Sequence, residues 1–542
     1  MRGLMQDTQL TTNWIFGRGE RYFGTKTVVT NTKDGLHRAT FGDVADDARR
    51  IASALDGLGV PDQGRVATFA WNSARHLALY FAIPGTGRVM HTANIRYFPD
   101  QLIYAVNHAE DDVVFVDRSL LPLLGQHLPK LETVRHVVVM DDGGDDELPD
   151  DPRVLRYEDV VGGAEPIDFT DRVDDEHQGA AICYTTGTTG NPKGVLYSHR
   201  SMWLHSNAAL TTSTFALSEA DNVLPVVPMF HANAWGLPYA AFLAGSSFVM
   251  PGPDLSPATL IGLMESEKVT VAAGVPTIWM GMVPMLEDHD LSAVRTIICG
   301  GSAVPRSLSE AWHAAIGIPI TQAWGMTETS PIATVWIERS EIADEPDDRK
   351  ADLRAGVGIC PPGVELRIVD SETREELPWD DKATGEIECK GPWVAKQYYR
   401  TDEPGEQFSP DGWLRTGDVA AIDPLGYVRL VDRTKDLVKS GGEWISSVAL
   451  ENEIMGHPKV AEAAVIAIPH PKWSERPLAC VVLKEGESAD AQEIRDYLAE
   501  RLGKWQVPDD VVFIDEIPKT SVGKFSKKTL RDRFADYVLP ES

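Results

Sequence analysis

The chain is poor in cysteine and in basic residues, and it contains no long apolar run. Its 542 residues include five cysteines, none of them paired at CxxC spacing or close to histidine at zinc-ligand spacing. This argues against a disulfide framework and against a structural zinc site. No segment approaches the roughly 20 apolar residues that cross a bilayer, and the first residues lack the apolar core of a signal peptide. We therefore expect a cytoplasmic protein without integral membrane association.

Positive charge is also scarce. Acidic residues outnumber basic ones by 81 to 51, so the formal net charge is -30. A general nucleic-acid binder needs the opposite balance, because it must neutralise phosphates. With 43% hydrophobic and 24% charged residues, the composition is that of a large globular protein. Any anionic ligand must therefore be bound by a local cluster of cations.

Short β-branched runs alternate with segments of helical spacing, which predicts a layered α/β fold. The β-branched runs lie at 113–116, 137–140, 269–273 and 296–299, and helical spacing occurs at 104–109 and 308–315. Two acidic segments, 141–151 and 341–352, contain too few apolar residues to pack and are predicted to be surface loops. From about Asp436 onwards, strand-like runs at 463–468 and 478–483 precede helical spacing at 491–502, which predicts a small α+β domain.

A loop rich in glycine and threonine carries the strongest chemical signal. It reads YTTGTTGNPKGV at 184–195 and follows the apolar run 180–183. Glycine lets backbone N–H groups approach anionic oxygens, threonine hydroxyls add donors, and Lys193 supplies charge. Gly194 stands where a Walker motif requires serine or threonine. The loop predicts a phosphate site, formed by Thr185, Thr186, Gly187, Thr188, Thr189, Gly190 and Lys193.

This loop resembles the signature of the adenylate-forming (ANL) superfamily, which includes acyl-CoA synthetases, firefly luciferase and the adenylation domains of non-ribosomal peptide synthesis. Further motifs extend the resemblance over nearly the whole chain. They are HANAW (231–235), GGSAVP (300–305), QAWGMTET (322–329), GWLRTGD (412–418), DRTKDL (432–437), KSGGEWIS (439–446) and PKTSVGK (518–524). VPMFHANAW (227–235) together with SGGEWIS (440–446) is most similar to bacterial long-chain fatty acyl-CoA synthetases.

The resemblance implies an architecture and a reaction. The architecture is a large multi-layer α/β domain at 1–431 that binds AMP and the acyl group, a hinge at 432–437, and a small mobile catalytic domain at 438–542. The reaction is the ATP-dependent activation of a medium- to long-chain fatty acid through an acyl-adenylate. Thioester formation with CoA then releases AMP and pyrophosphate. The implied cofactors are ATP, Mg²⁺ and CoA as co-substrate, and the enzyme class is acid–thiol ligase.

The resemblance also implies roles for single residues. Lys524 neutralises charge at the carboxylate and α-phosphate, where such a group contributes roughly 3–4 kcal/mol. Glu328 and Thr185 hold Mg²⁺. Asp418 accepts the ribose hydroxyls, Arg433 contacts the ribose or phosphates, and the remaining adenine-side residues are Ser302, Gln322, Ala323, Trp324, Gly325, Met326 and Thr327. Trp324 offers a stacking face to adenine.

In the second half-reaction, Lys435 is the implied pivot of a domain rotation that brings in Lys439 with the segment Gly441 and Gly442. Trp235 is expected to gate the acyl tunnel, Trp444 to approach the nucleotide, and His231 to orient the carboxylate region. Core packing stays open for these two tryptophans, as does a structural role for His231.

The acyl pocket is expected to be apolar. Val227, Met229, Ala232 and Gly236 bring no charge, and no acidic residue lies between 224 and 239 to bind an amino group. This favours an aliphatic acid over an amino acid. Transfer to a carrier protein, a short-chain or aromatic acid, and a non-catalytic binder stay open as alternatives. The last is disfavoured because all the catalytic positions are present. Relatives also imply a homodimer through residues 14–22.

Overall fold

The computed structural model describes residues 1, 3–185, 191–440, 443–519 and 525–539. Within these ranges the strands form four sheets. The expected α/β class is confirmed, with a large N-terminal region and a small C-terminal α+β region.

An eight-stranded sheet forms one layer of the large region. In spatial order its strands, numbered along the chain, are β15 (Ile332–Val335), β14 (Ile320–Gly325), β13 (Thr296–Cys299), β12 (Val271–Gly274), β10 (Asn222–Pro225), β11 (Ser247–Met250), β1 (Thr27–Thr32) and β2 (Gly35–Thr40). Pairing is parallel from β14 to β1 and antiparallel at the two ends. The parallel strands align their carboxyl ends at one edge, where α/β proteins bind ligands.

A seven-stranded sheet forms a second layer. Its strands, in spatial order, are β7 (Val154–Arg156), β6 (His136–Met140), β5 (Asp111–Asp117), β3 (Arg65–Phe69), β4 (Val89–Thr92), β8 (Gly179–Tyr184) and β9 (Gly194–Ser198). Strands β8 and β9 pair antiparallel, with Tyr184 opposite Gly194. This hairpin therefore holds the two ends of the glycine- and threonine-rich loop together.

Helices connect and cover the two sheets, as parallel pairing requires. They are α1 (Thr12–Phe23), α2 (Phe41–Gly57), α3 (Ala74–Gly85), α4 (Pro99–Ala109), α5 (Leu121–Leu124), α6 (His199–Ala209), α7 (Leu237–Ala244), α8 (Pro257–Ser266), α9 (Pro276–Met282), α10 (Arg306–Ile316) and α11 (Asp347–Arg354). Phe16, Phe41, Phe81 and Phe242 bring α1, α2, α3 and α7 together in one buried aromatic cluster. None of the helices in the described ranges is long and apolar enough to span a bilayer.

A four-stranded antiparallel sheet follows the large sheets. Its strands are β16 (Glu365–Val369), β17 (Gly385–Lys390), β18 (Leu414–Ile422) and β19 (Val428–Arg433). In the β18–β19 hairpin, Asp418 stands opposite Arg433. Arg433 is the last residue of β19 and also lies within the predicted hinge 432–437, so this pair joins the hairpin to the hinge.

The C-terminal region has its own sheet, helices and apolar core. The strands are β20 (Val438–Ser440), β21 (Glu443–Ile445), β22 (Val460–His470), β23 (Ser474–Leu483) and β24 (Asp510–Phe513), and the helices are α12 (Ser447–Met455), α13 (Ala491–Ala499) and α14 (Lys527–Arg533). The backbone N–H of Ser447 donates to Asp432 Oδ2 at 2.6 Å, across the predicted hinge.

One expectation needs correction. The acidic segment 341–352 is largely exposed, as expected, but it is not purely loop, because α11 begins at Asp347. Asp347 and Asp348 lie in the first turn of α11, where carboxylates interact favourably with the helix dipole. Arg306 also pairs with Asp348 at 3.0 Å. The other acidic segment, 141–151, is loop as predicted.

Candidate active site

A cavity of about 280 Å³ lies beyond the carboxyl ends of β8, β13 and β14. It collects residues from most of the motifs that the sequence singles out. Its lining comprises Thr185, Asn191, Lys193, Phe215, His231, Ala232, Trp235, Gly300, Gly301, Ala323, Trp324, Gly325, Met326, Thr327, Glu328, Pro331, Ile332, Tyr398 and Arg433. Motifs that are far apart in the sequence therefore line the same cavity.

The described ends of the glycine- and threonine-rich loop are tied together. Thr185 donates its backbone N–H to the carbonyl of Lys193 at 2.9 Å, and its Oγ1 accepts the Lys193 N–H at 3.1 Å. Tyr97 Oη also donates to the Thr185 carbonyl, at 3.0 Å. Thr185 and Lys193 thus both lie on the cavity wall. Thr186, Gly187, Thr188, Thr189 and Gly190 fall outside the described residues.

Glu328 brings a buried carboxylate to the same wall. It is only 6% exposed, and its Oε1 accepts the hydroxyl of Tyr398 at 2.6 Å. The ring of Tyr398 in turn lies 4.6 Å from Lys193 Nζ, which is cation–π distance. An acid, a tyrosine and a lysine therefore form a connected group facing the cavity.

The carboxylate of Asp418 has two cavity-lining partners. Its Oδ2 accepts the indole N–H of Trp324 at 2.9 Å, and its Oδ1 accepts Arg433 Nε at 3.1 Å. Asp418 is 7% exposed. Its negative charge raises the pKa of the Arg433 guanidinium. This places an acceptor, a cation and an aromatic face together, as ribose, phosphate and adenine recognition requires.

A second cavity of about 260 Å³ adjoins the first and shares Gly301, Ala323, Trp324, Gly325 and Arg433 with it. Of the predicted residues, Ser302, Gln322, Asp418 and Lys435 line it. Burial in the cleft lowers the pKa of Lys435, and the positive charge of the nearby Arg433 lowers it further. The C-terminal region contributes Phe525, Ser526, Lys527, Lys528 and Arg531. The described residues thus join the two regions of the chain around one cleft.

The HANAW motif adopts an unusual backbone. Residues 232–235 all have positive φ, from 41° at Ala232 to 56° at Trp235, although none is glycine. Left-handed conformations are unfavourable for such residues and concentrate at functional sites. The turn directs Trp235 onto Gly300, where a Cβ would lie only 3.3 Å from the indole ring. Gly300 therefore makes room for the ring that is predicted to gate the acyl group.

His205 supports this turn from behind. A Cβ at Gly236 would come within 2.5 Å of His205 Nδ1, and His205 Nε2 accepts the backbone N–H of Ile332 at 3.4 Å. Burial lowers the pKa of His205 to about 3, so it is neutral near pH 7. His231 also lines the cavity, whereas Val227 and Met229 are buried in the apolar core.

Lys439 and Trp444, together with the expected acyl-pocket residues Val227, Met229 and Gly236, line neither cavity in this arrangement. Lys439 and Trp444 stand on β20 and β21, with Lys439 Nζ 5.3 Å from the ring of Trp444, which is 51% exposed. Lys524, Gly441 and Gly442 lie outside the described residues. Phe525, the residue directly after Lys524 in the sequence, lines the second cavity.

The cleft mixes both signs of charge, although the chain is strongly acidic. The basic residues Lys193, Arg433 and Lys435, all of which lie in the motifs described above, line it. Lys527 and Lys528 join them from α14. Much of the cation cluster that the sequence requires is thus assembled in this structure.

Sequence reasoning missed Tyr398 and Phe215, which also line the first cavity. Tyr398 lies in a segment with no recognisable periodicity or motif. Phe215 follows α6 in an irregular loop. Nothing local in the sequence distinguishes either residue from ordinary core aromatics.

The oxygen donors at the site fit Mg²⁺. Thr185 supplies a hydroxyl and Glu328 a carboxylate to the lining of the first cavity, and Mg²⁺ commonly takes one or two protein oxygens and completes its shell with water and phosphates. In the described ranges, no cluster of three or more His, Cys, Asp or Glu side chains forms a protein-only metal cage. The donor set therefore suits an ion that is shared with a nucleotide.

Comparison with known proteins places the chain in a family. Residues 18–399 match the AMP-binding enzyme family, and residues 449–524 match the AMP-binding enzyme C-terminal domain. The chain therefore belongs to the AMP-binding enzymes, the adenylate-forming superfamily that its motifs resemble.

Two curated relatives and one solved structure illustrate which enzymes the chain is similar to. A protein of Thermus thermophilus named long-chain-fatty-acid–CoA ligase is 47% identical, over 98% of this chain and 97% of its own. A 3-methylmercaptopropionyl-CoA ligase of Ruegeria lacuscaerulensis is 43% identical, over 99% of both chains. The crystal structure of the anthranilate CoA ligase AuaEII with anthranoyl-AMP superimposes with a TM-score of 0.88 at 25% identity, covering 99% of this chain and 100% of that one. The predicted fold and enzyme class, a ligase that uses ATP and CoA, are confirmed at the level of the family.

Proposed function

We propose that the protein activates a medium- to long-chain fatty acid with ATP and transfers the acyl group to CoA. The observation that carries the proposal is the convergence of Asp418, Arg433, Trp324, Lys193 and Glu328 on one cleft. These residues provide acceptors for ribose, an aromatic face for adenine and cations for phosphates. The same cleft contains the apolar groups Phe215, Trp235 and Ile332, beside which an acyl chain would lie.

In the first half-reaction, the acid's carboxylate oxygen attacks the α-phosphorus of ATP and pyrophosphate leaves. Negative charge accumulates on the α-phosphate and on the leaving group, so positioned cations lower the barrier. Lys193 and Arg433 line the cavity where this charge develops. Lys524 is proposed to contact the carboxylate and α-phosphate. When held by Thr185 and Glu328, Mg²⁺ supplies additional positive charge at the phosphates.

In the second half-reaction, the CoA thiolate attacks the acyl-adenylate carbonyl and AMP leaves. Lys439 stands outside the cleft in the present arrangement. We propose that residues 438–542 rotate about Lys435, in the hinge 432–437, relative to residues 1–431. Rotation would exchange the face that carries Lys524 for the face that carries Lys439, Gly441, Gly442 and Trp444.

The proposed acid rests on the cavity lining and on the names of the relatives. The apolar groups Phe215, Trp235 and Ile332 in the cavity lining support an aliphatic chain, and the Thermus thermophilus relative is named for long-chain fatty acids. A second candidate is a short acid such as 3-methylmercaptopropionate, because a relative of nearly equal identity is named for it. Aromatic acids and transfer to a carrier protein are further alternatives that the same assay tests.

The experiment measures AMP, pyrophosphate and acyl-CoA release from ATP and Mg²⁺, with and without CoA. The substrates are saturated acids from butyrate to stearate, 3-methylmercaptopropionate and benzoate. Turnover that depends on CoA and peaks among medium or long chains supports the proposal. A peak at 3-methylmercaptopropionate or benzoate would replace the substrate. Pyrophosphate formation without any thioester would favour a carrier protein as acceptor.

We further propose a homodimer through α1, as well as a cytoplasmic location. Trp14 and Tyr22 are 58% and 66% exposed on this helix. Large exposed aromatics are common anchors of protein interfaces. Sedimentation at micromolar concentration should give twice the chain mass, and Trp14→Ala combined with Tyr22→Ala should lower it. A monomeric mass for the unmodified protein would contradict the dimer.

A further inference from the structure

The segment 391–400, here called the strap, connects two regions of the site. Ala395 donates its backbone N–H to the carbonyl of Glu328 at 2.7 Å. Four residues later, Tyr399 donates its backbone N–H to the carbonyl of Gly194 at 2.8 Å. The strap is therefore fixed to the motif that contains Glu328 and to the hairpin strand that follows Lys193.

Between these two anchors the strap inserts the side chain of Tyr398. This residue is 8% exposed, and its hydroxyl donates to Glu328 Oε1 at 2.6 Å. A donor–acceptor distance this short is typical of a hydrogen bond to a charged carboxylate. A phenolic hydroxyl can donate and a carboxylate oxygen can only accept, so Tyr398 is the donor in this bond.

The ring of Tyr398 has a separate contact. Lys193 Nζ lies 4.6 Å from the ring centroid. The ring can hold the ammonium without neutralising its charge, whereas a carboxylate in its place would form an ion pair and compete with phosphate. The hydroxyl donates to Oε1 of Glu328, so this hydrogen bond does not occupy Oε2, and Glu328 is a lining residue of the first cavity.

We propose that Tyr398 is a positioning residue: its hydroxyl orients Glu328 toward Mg²⁺, and its ring supports Lys193 beside the phosphates. The inference rests on one part of the proposed function, namely that the site binds ATP together with Mg²⁺. The hydroxyl and the ring act on different partners, so they can be separated by mutation. Tyr398→Phe removes the first contact and Tyr398→Leu removes both.

The test is calorimetric titration with ATP, in the presence of Mg²⁺ and of EDTA. For the unmodified protein, Mg²⁺ should tighten ATP binding. In Tyr398→Phe, the increase in ATP affinity that Mg²⁺ causes should be roughly 10- to 100-fold smaller, which is the usual cost of removing a group that orients a metal ligand. The affinity of this variant for metal-free ATP should be unchanged. Tyr398→Leu should also weaken metal-free ATP by roughly 2- to 5-fold, because the cation–π contact is lost.

Tyr427→Phe is the matched control. Its hydroxyl donates to the carbonyl of Ile337 at 2.9 Å and accepts the N–H of Arg339 at 3.1 Å, and Tyr427 lines neither cavity. It should bind ATP like the unmodified protein under both conditions. Circular dichroism and thermal unfolding would establish that every variant is folded.

The inference is overturned if Tyr398→Phe keeps the full gain from Mg²⁺, since the hydroxyl would then only stabilise the fold. It is equally overturned if Tyr398→Phe and Tyr427→Phe lose ATP affinity to the same extent. Acyl-CoA formation by the unmodified protein is a separate test of the proposed function. ATP binding that responds to Mg²⁺ through Tyr398, without any acyl-CoA product, would therefore contradict the proposed function and still support the role of Tyr398.

Discussion

Replacing Asp418 by asparagine isolates the charge of one carboxylate. In the structure, Oδ2 of Asp418 accepts the Trp324 indole N–H at 2.9 Å and Oδ1 accepts Arg433 Nε at 3.1 Å. The asparagine carbonyl oxygen can keep the first bond. Its amide group would then face the Arg433 guanidinium, donor against donor, and could no longer accept a ribose hydroxyl from that side. The substitution preserves volume, so the main change is the loss of an anionic acceptor.

The magnitude follows from the number of bonds removed. A hydrogen bond to a charged group contributes about 1.5–3 kcal/mol, and about 1.4 kcal/mol corresponds to a tenfold change in affinity. Loss of one ribose contact should therefore weaken ATP binding roughly 10- to 100-fold. Much larger losses would indicate that the site had collapsed.

The assay compares ATP with 2′-deoxy-ATP and 3′-deoxy-ATP by calorimetric titration. The unmodified protein should bind at least one deoxy analogue roughly 10- to 100-fold more weakly than ATP. Asp418→Asn should bind ATP and that analogue about equally, because the contact is already gone. Asp423→Asn is the control: it follows β18 in the same hairpin, and its Oδ1 accepts backbone N–H groups of Leu425 and Tyr427, which an amide oxygen can also accept. If Asp418→Asn still discriminated against both deoxy analogues as strongly as the unmodified protein, ribose recognition by Asp418 would be wrong.

Three further outcomes are expected. Lys524→Ala should reduce adenylate formation by about two to three powers of ten and leave thioester formation from supplied acyl-adenylate unchanged. Lys439→Ala should reduce thioester formation and leave adenylate formation unchanged. Equal losses in both half-reactions for either variant would contradict two catalytic faces. Trp235→Ala should shift the preferred acid toward longer or bulkier chains in the substrate series, because the ring on Gly300 is removed; an unchanged chain-length profile would argue for core packing. Burial lowers the pKa of His205 to about 3 and that of His76 to about 4, from 6.5. Because the unfolded chain binds protons that these two buried histidines reject, unfolding free energy should fall below pH 6.5 by up to about 1.4 kcal/mol per pH unit for each. Buried Asp117, whose pKa is raised to about 8, contributes in the opposite direction, so the test compares the unmodified protein with His205→Gln by urea unfolding. A stability difference between the two that does not change from pH 7 to pH 5 would refute this.

Many elements of the fold were predictable because their signal is local. The β-branched runs at 137–140 and 296–299 coincide with β6 and β13 to within one residue. Helix boundaries were less accurate: the spacing at 308–315 lies inside α10, which begins two residues earlier. The helix α11 escaped prediction because it contacts Arg306, far away in the sequence, and because its acidic first turn reads as loop composition.

The candidate site was predictable residue by residue but not as a set of contacts. Motif order pointed to Asp418 and to Arg433, but only the register of the β18–β19 hairpin brings the two together. Tyr398 contacts Glu328, 70 residues away, and Lys193, still further away. The left-handed turn at 232–235 contradicts the preferences of alanine and tryptophan, so no local pattern could predict it.

The β18–β19 hairpin contains a residue that belongs both to the proposed nucleotide site and to the proposed hinge. Arg433 contacts Asp418, the proposed ribose acceptor, and is also the last residue of β19 before the turn around Lys435. If Arg433 binds phosphates and residues 432–437 act as the hinge, as proposed, a ligand that moves Arg433 would also move the first residues of the hinge. Rotation of the hinge would in turn change which ligand atoms Arg433 can contact. By thermodynamic reciprocity, each bound species, whether ATP, acyl-adenylate or AMP, biases the domain orientation by as much as that orientation biases its affinity. The order of the two half-reactions would then follow from the energetics of a single hairpin, with no separate signal between the domains.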